Sequence, residues 1–307
     1  MRKIIALAVA LTVFPAISAQ QIWFAPNNTD MLNNNARDAE WSQTRDNVAV
    51  FKFYYQIIRD TPLPILKDKF NYLRSHNIKV AIEWPGLTWH KNGLGYKIEG
   101  FQEPGFSQKI IKKVKAANGY VDYLALDEPI FFAHFKEGKN HPQIDIPTIT
   151  SMIAYNVKPF YDAFPGIEVG DIEPINQMPP DVYKKVIPQF LSEYKRITGH
   201  PIAFMHADVY WQGDWKPAVE YTSKLMKEND SRFGVIFNSA VQSAQPYAWM
   251  MSARENIKVY LSGNSPMPDD VVMQSWNKSP KSPVGDTDPH SHSSLIQYFK
   301  TEEKLRR

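Results

Sequence analysis

The sequence YVDYLALDEP, residues 120–129, is a mostly apolar run that ends in two carboxylates and a proline. Such a run predicts a buried strand, and because proline cannot donate to a ladder, the strand ends with Asp127 and Glu128 at its carboxyl end. Folds with parallel strands place their chemistry at that end. The sequence IEVGDIEP, residues 167–174, repeats the pattern, with two acidic residues shortly before its proline. Two strand ends that carry carboxylates indicate acid/base catalysis.

Strand-like segments alternate with helical segments along the rest of the chain. In residues 63–76, for example, Leu66, Phe70 and Leu73 fall at helical spacing on one face. Eight alternations predict an α/β fold, a single-domain (β/α)8 TIM barrel. An open doubly wound sheet is disfavoured because no glycine-rich phosphate loop follows the first strand. The predicted strands span residues 21–26, 48–55, 78–84, 121–129, 167–174, 201–211, 233–239 and 271–276, and the predicted helices span residues 36–45, 63–76, 106–118, 149–164, 181–198, 217–229, 245–261 and 294–304.

The last quarter of the chain leaves one alternative open. Residues 257–261 are β-branched enough to form a strand, in which case the seventh helix is shorter and the eighth strand is misnumbered. Two long segments, residues 85–104 and 277–290, are expected to be loops that rise over the mouth of the barrel. Long loops of this kind are often functional, so these two either wall a cleft or are solvated insertions.

Residues 1–19 have a basic start, an apolar centre and a small-residue end. This pattern is typical of a secretory signal peptide, cleaved here between Ala19 and Gln20, and the apolar run is too short to span a membrane comfortably. Residues 20–307 are then one barrel domain of a secreted or periplasmic protein. The absence of cysteine fits a bacterial exported enzyme whose core is large enough without disulfides.

The charge of the chain argues against nucleic acid as a partner, and against a membrane once the signal peptide is removed. Without Arg2 and Lys3, 33 Lys and Arg residues stand against 32 Asp and Glu residues. This balance predicts no strongly basic surface. The oligomeric state stays open.

The ends of the predicted strands carry polar residues and tryptophans, whereas their starts are apolar. In a barrel, the carboxyl ends of the strands build the active site. His206 and Asp208 alternate at period two and face the same side of their strand, but two ligands without a clear third favour hydrogen bonds to sugar hydroxyls over a metal site. A tryptophan ring at a strand end can stack on a pyranose. The candidate substrate-binding residues are Glu83, Trp84, His206, Asp208, Trp211, Asn238, Gln274 and Trp276, of which Glu83 is alternatively a buried partner of Lys52.

Hydrolysis of a glycosidic bond requires a protonated carboxylic acid for the leaving oxygen and an ionised carboxylate as nucleophile or base. Neighbouring acids help because they raise one pKa and leave the other low. Adjacent barrel strands lie about 5 Å apart, so carboxylates on the fourth and fifth strands can approach the separation of about 5 to 5.5 Å of a retaining pair. Side-chain direction can also open the pair to the inverting range. The stereochemical outcome, the sugar, the linkage and endo or exo action all stay open.

The sequence LDEP, residues 126–129, resembles the strand-four acid/base motif of retaining (β/α)8-barrel glycoside hydrolases, in which Asn or Asp precedes the catalytic Glu and Pro follows. The sequence QSW, residues 274–276, is similar to their strand-eight tryptophan. The resemblance implies a glycosidase that acts on an oligo- or polysaccharide, with Glu128 as acid/base. The commonest barrel clan takes its nucleophile from strand seven, but IFNS, residues 236–239, has no carboxylate. The partner is therefore expected on the fifth strand, as Glu173 or Asp171. Glu173 is the first choice, in which case Asp127 and Asp171 are supporting residues.

Two other functions also fit the sequence. A non-catalytic carbohydrate-binding barrel keeps the tryptophan surface, and a structure in which Glu128 and Glu173 point away from each other would distinguish it. A metal-dependent hydrolase uses His206, Asp208 and Glu83, and its activity does not survive prolonged chelation. The glycosidase is preferred, with a carbohydrate as substrate, no metal and no cofactor.

Overall fold

The computed structural model describes residues 20–33, 35–91, 93–239, 241 and 247–306. The signal peptide predicted for residues 1–19 lies outside these ranges. Eight parallel strands form a closed barrel in chain order, and the last strand pairs with the first. Each predicted strand overlaps one of them, so the predicted (β/α)8 barrel is confirmed. The strands are β1 Gln21–Ala25, β2 Val50–Tyr54, β3 Lys79–Trp84, β4 Tyr123–Asp127, β5 Glu168–Glu173, β6 Phe204–Asp208, β7 Arg232–Phe237 and β8 Asp270–Gln274.

Helices follow the strands and cover the outside of the barrel. The first predicted helix is shorter than expected, because a 3-10 turn, Asp38–Glu40, precedes its single α-helical turn. A short helix directly after β2 was not predicted. The predicted start of the seventh helix, Gln245, lies outside the described residues. The helices are α1 Ser42–Arg45, α2 Tyr55–Asp60, α3 Leu63–Ser75, α4 Phe106–Ala116, α5 Ile146–Ala163, α6 Pro180–Thr198, α7 Lys216–Glu228, α8 Ala248–Ser262 and α9 Ser294–Arg306.

Residues 257–261 lie within α8, so the alternative of a strand there is wrong. Ile257, Tyr260 and Leu261 are buried, and their spacing of three and four residues places them on one helix face. The helical period therefore outweighs the β-branched composition of the segment. None of the helices in the described ranges combines the length and the apolar composition that a membrane crossing requires.

The barrel has an inner and an outer core because successive strand side chains point to opposite faces. The inner core contains Trp23, Tyr123 and Phe204, whose rings lie 4.8 to 5.9 Å apart. Gly170 makes room for them, since a Cβ at this position would lie 2.3 Å from the ring of Phe204. Aromatic packing thus fills much of the barrel interior, where the ring of His206 also lies 4.7 Å from that of Trp23. The outer core packs the other strand faces against the helices.

The long loop after β3 has some regular structure. Leu87–Thr88 and Phe101–Gln102 form a two-stranded parallel ladder within it. Gly100 has a left-handed backbone, with φ of 77°, and a Cβ there would lie 2.9 Å from the carbonyl oxygen of Asp127. Glycine therefore lets this loop approach the end of β4 closely. The contact brings the loop to the mouth of the barrel, as expected from the sequence.

Candidate functional site

A cavity of about 380 Å³ opens at the carboxyl ends of the barrel strands. Five of its lining side chains are carboxyls, namely Glu83, Glu99, Asp127, Glu128 and Asp208. A larger cavity, of about 540 Å³, lies beside α5 and has no carboxyl in its lining. The cavity at the strand ends is therefore the candidate site for acid/base chemistry, and it lies where barrel enzymes place their active sites.

Glu128 reaches this cavity through an unusual backbone conformation. Tyr123, Ala125 and Asp127 share the inner face of β4, so regular alternation would turn the next side chain outward. Glu128 instead has φ of 49°, in the left-handed region that non-glycine residues rarely adopt. Its amide donates to the carbonyl oxygen of Ile172 at 3.1 Å, which holds the turn. Two consecutive carboxyls consequently line the same cavity.

Burial and mutual repulsion favour protonated carboxyls in the cavity. Burial is the main cause that raises the pKa of Glu128 well above its usual value, and the neighbouring Asp208 and Asp127 raise it further. Burial, followed by Glu83 and Glu99, likewise raises the pKa of Asp127, while Lys52 opposes the shift. These shifts keep a proton on the cluster at higher pH than for an exposed carboxyl, which a general acid requires.

Asp208 connects the acid cluster to β7. Its carboxyl lies within hydrogen-bonding reach of the Glu128 carboxyl. Its Oδ1 also accepts a hydrogen bond from Asn238 Nδ2 at 3.1 Å. Asn238 Oδ1 in turn accepts from Trp211 Nε1 at 3.1 Å. Three of the predicted substrate-binding residues thus form a chain of side chains, of which Asp208 alone lines the cavity.

Lys52 lies at the base of the cavity and is fully buried. Its Nζ lies 2.5 Å from Glu83 Oε2 and donates to Gln274 Oε1 at 2.5 Å. Gln274 Nε2 donates to Glu83 Oε2 at 2.9 Å, so all three side chains bond to one another. The structure therefore combines both expectations for Glu83, because it pairs with Lys52 and also lines the cavity. Both of these hydrogen bonds to Glu83 use Oε2.

Glu173 and Asp171 do not line the cavity, contrary to expectation. Ile172, between them, is in the inner core and lines the cavity, so both acids lie on the outer face of β5. Glu173 Oε1 accepts from the amide of Ile130 at 2.7 Å, and Oε2 accepts from the amide of Phe131 at 3.1 Å. Its carboxyl therefore satisfies backbone groups after β4. The expectation overlooked the alternation of side chains along β5.

Three more candidates lie away from the cavity. Trp84 is buried on the outer face of β3, where its ring stacks on Phe106 with centroids 5.5 Å apart. His206 is buried below the cavity, with Nε2 3.1 Å from Asp270 Oδ2. Trp211 stacks on Phe237 with centroids 5.5 Å apart. Of the predicted tryptophans, Trp276 lines the cavity and is 48% exposed, as stacking on a sugar requires.

The separation of His206 from Asp208 bears on the metal alternative. Burial lowers the pKa of His206, and its contact with Asp270 opposes this shift. The imidazole is thus engaged inside the barrel and does not face Asp208 and Glu83 across the cavity. Within the described ranges, no group of three or more His, Asp or Glu side chains has an arrangement suited to a metal ion.

The cavity also contains residues that the sequence analysis did not select. Glu99 comes from the long loop after β3, and its only sequence signal is the length of that loop. Phe131, Phe132 and Lys136 come from the segment after β4, which forms a π-helical turn, Phe131–Phe135. Turns of this type are frequent at functional sites, but the sequence shows no clear signal for them. The remaining lining residues not selected are Tyr54, Tyr55, Gln56, Ile172 and Gln177.

No protein-family model matches the chain. No curated protein matches its sequence either. Solved structures do match over 94% of the chain. Xylanase 10B from Thermotoga maritima has a TM-score of 0.59 at 10% identity, with 96% of that chain covered. A GH10 endoxylanase from a sugarcane soil metagenome has a TM-score of 0.58 at 9% identity, with 97% covered. The endo-β1,6-glucanase BT3312 has a TM-score of 0.54 at 11% identity, with 78% covered. At these identities the likeness shows the fold alone, which resembles that of barrel glycoside hydrolases.

Proposed function

We propose that the protein is an exported glycoside hydrolase that cleaves an oligo- or polysaccharide with Glu128 as the proton donor. The observation that carries this proposal is the cluster of Glu128, Asp208 and Asp127 in one cavity at the carboxyl ends of the strands. Glycoside hydrolysis needs a protonated carboxyl and an ionised carboxylate in one site, and several carboxyls line this cavity. The fold likeness to xylanases and a glucanase supports the proposal.

Glu128 donates its proton to the glycosidic oxygen as the bond between that oxygen and the anomeric carbon breaks. Burial beside Asp208 and Asp127 raises the Glu128 pKa, so the acid keeps its proton to higher pH than an exposed carboxyl does. Its left-handed backbone turns the carboxyl toward the bound sugar. The rate is therefore expected to fall as pH rises through the Glu128 pKa.

Glu83 is the second carboxylate of this proposal, in place of Glu173. Its Oε2 is held by Lys52 and Gln274, and the carboxylate lines the cavity. An ionised carboxylate fixed beside the anomeric carbon stabilises the positive charge that develops as the leaving group departs. Water then adds to the anomeric carbon and gives one proton to Glu128, which restores the acid. Glu173 cannot take this role in the present geometry, because both of its oxygens accept from backbone amides outside the cavity.

A non-catalytic carbohydrate-binding barrel is the second candidate function. Glu128 lines the cavity and Glu173 lies on the outer face of β5, which is the arrangement expected for this alternative. The other carboxyls of the cavity make hydrolysis the better proposal. The alternative keeps Trp276 as the ring on which a sugar stacks.

The deciding experiment compares wild type, Glu128→Gln and Glu83→Gln on a panel of polysaccharides, with release of reducing ends as the assay. General acid catalysis contributes about 10²- to 10⁴-fold, so Glu128→Gln is expected to lose that factor in kcat while sugar binding remains. Sugar binding without hydrolysis by the wild type would support the binding protein. Equal rates for wild type and Glu128→Gln would exclude Glu128 as the acid.

Export is tested separately. The signal peptide proposed for residues 1–19 predicts that the mature protein recovered from a bacterial periplasm or culture medium begins at Gln20. N-terminal sequencing of the exported protein checks this site. Retention of the full chain in the cytoplasm would contradict it.

A further inference from the structure

The side chains of Trp211, Asn238, Asp208 and Glu128 form a connected series from the outer core to the cavity. The Trp211 indole donates to Asn238 Oδ1 at 3.1 Å, and Asn238 Nδ2 donates to Asp208 Oδ1 at 3.1 Å. Asp208 in turn lies within hydrogen-bonding reach of Glu128. Asn238 is 4% exposed, so water hardly competes for its amide.

The series has only one consistent direction. An indole N–H donates and never accepts, so the amide oxygen of Asn238 must face Trp211 and its NH2 must face Asp208. Asn256 Nδ2 also donates to the Asn238 backbone carbonyl at 2.8 Å, which holds this residue in place. Stacking of Trp211 on Phe237 fixes the indole plane. Asp208 therefore meets a donor on the β7 side and is favoured as an acceptor.

We propose that Trp211 and Asn238 are positioning residues that keep the proton of the Asp208 and Glu128 pair on Glu128. The inference rests on the proposed function, because it explains which carboxyl of the pair is the acid. A hydrogen bond donated to one carboxylate stabilises its ionised form, and the shared proton then resides on the other. Asn238→Ala removes that donor and is expected to let the proton move toward Asp208.

Other charged groups act on the same pair. Glu83, Asp127, Glu173 and Glu99 raise the proton affinity of carboxyls around the cavity, and Glu173 acts in this way on Glu128. Lys52 lowers the proton affinity of Asp208 and Asp127. Burial also raises the pKa of both members, and for Glu128 it is raised well above the usual value. In the described structure, none of these groups donates a hydrogen bond to only one of the two carboxyls. Asn238 does so, because its side-chain amide donates to Asp208.

Carbon-13 NMR of the carboxyl groups tests the proposal without any substrate. Side-chain carboxyl signals of Asp208 and Glu128 are assigned by substitution and followed over pH in wild type and Asn238→Ala. In wild type, Glu128 is expected to hold the proton to higher pH. In Asn238→Ala, the Glu128 titration is expected to move down and the Asp208 titration up, by about one pH unit. Trp211→Phe keeps a stacked ring but removes the indole N–H donor. It should shift the Glu128 and Asp208 titrations in the same directions as Asn238→Ala does, but by a smaller amount.

Trp215→Phe is the matched control, since Trp215 packs on Trp211 with centroids 5.4 Å apart but its indole is outside the hydrogen-bonded series. It is expected to leave both titrations unchanged. If Asn238→Ala folds and both titrations are unchanged, the proposal is overturned. If Asn238→Ala does not fold, unchanged titrations in Trp211→Phe overturn the proposal instead. The NMR result is independent of turnover. A wild type that binds but hydrolyses no glycan would therefore refute the proposed function and leave this inference to be judged by its titrations.

Discussion

Glu128 and Glu173 show how one residue's backbone and face decide its chemistry. Both follow apolar runs and precede a proline, yet Glu128 lines the cavity and Glu173 bonds to backbone amides outside it. The left-handed φ of Glu128 explains the first placement, and the strand alternation around Ile172 explains the second. The alternation was available in the sequence. The backbone conformation of Glu128 was not, because only the surrounding structure holds a non-glycine residue there.

Glu173→Gln is expected to reduce stability and to leave the chemistry of hydrolysis largely intact. The two oxygens of Glu173 accept from two amides, and Gln offers a single acceptor, so one buried N–H loses its partner. The cost is about 1–3 kcal/mol in free energy of unfolding, measured by urea denaturation. Its kcat should stay close to wild type, in contrast to Glu128→Gln. A loss of kcat as large as that of Glu128→Gln, with the fold intact, would restore Glu173 as a catalytic residue.

Asp171→Asn is expected to weaken the pH dependence of stability. Asp171 is fully buried, and burial raises its pKa well above the usual value. The amide of Ile172 opposes the shift, but neither carboxyl oxygen has a hydrogen-bond partner of good geometry in the described structure. The folded state thus binds a proton more tightly than the unfolded state, whose pKa is about 3.9. Stability falls as pH rises from that value through the raised folded pKa.

Asparagine does not titrate, so above this pH window the Asp171→Asn variant should be the more stable protein. Melting temperatures of both proteins between about pH 4 and 9 check the prediction. If the melting temperatures of both proteins change equally with pH, Asp171 does not contribute to the pH dependence of stability.

At the scale of elements, the loop after β3 and the segment after β4 complete the cavity that the strands begin. The ladder between Leu87–Thr88 and Phe101–Gln102 holds the loop, and Gly100 lets it contact the end of β4. The loop adds Glu99 to the acid cluster, the π-helical turn adds Phe131 and Phe132 to the lining, and Lys136 directly follows that turn. These elements come together by tertiary packing, which explains why local patterns did not identify their residues.

Gly100→Ala is expected to disturb the cavity as well as the local backbone. The alanine pays about 1–2 kcal/mol for the left-handed conformation, and its Cβ would also lie 2.9 Å from the Asp127 carbonyl oxygen. Displacement of the loop should lower kcat/KM. Gly166→Ala is the matched control, because Gly166 has φ of 86° and nothing within 4 Å of an added Cβ. Similar melting temperatures but a selective loss of kcat/KM in Gly100→Ala would support the role of this contact, and equal kcat/KM in both variants would contradict it.

For the whole molecule, the charge distribution matters more than the net charge. The full chain carries a formal net charge of +3, whereas five carboxyls and one lysine, Lys136, are among the lining residues of the described cavity. Lys52 offsets one of these carboxyls through its ion pair with Glu83. Each of the remaining acids repels an anionic ligand when it is ionised, since placing like charges together costs several kcal/mol. For the proposed hydrolase, we therefore expect neutral sugars to be better substrates than anionic sugars.

Neutral polysaccharides are expected to be hydrolysed with at least about tenfold higher kcat/KM than polyuronates of similar linkage. Glu99→Gln removes one ionisable carboxyl from the cavity, so it should narrow the ratio of the two kcat/KM values without abolishing hydrolysis. Initial rates on matched substrates at low and high salt measure the effect, because salt screens the repulsion. A preference for polyuronates in the wild type would contradict the electrostatic argument.

Local patterns were sufficient for the barrel, because apolar runs, helical periods and prolines act within a few residues. They predicted eight strands, most helices and the positions of Glu128, Glu83, Asp208, Gln274 and Trp276 at strand ends, all of which line the cavity. Closure of the barrel determined the contacts between side chains that are distant in the sequence. It brings Gln274 to Lys52 across 222 positions and joins Asn238 to Asp208. Such contacts depend on strand register and on which face each side chain takes, which the whole barrel determines.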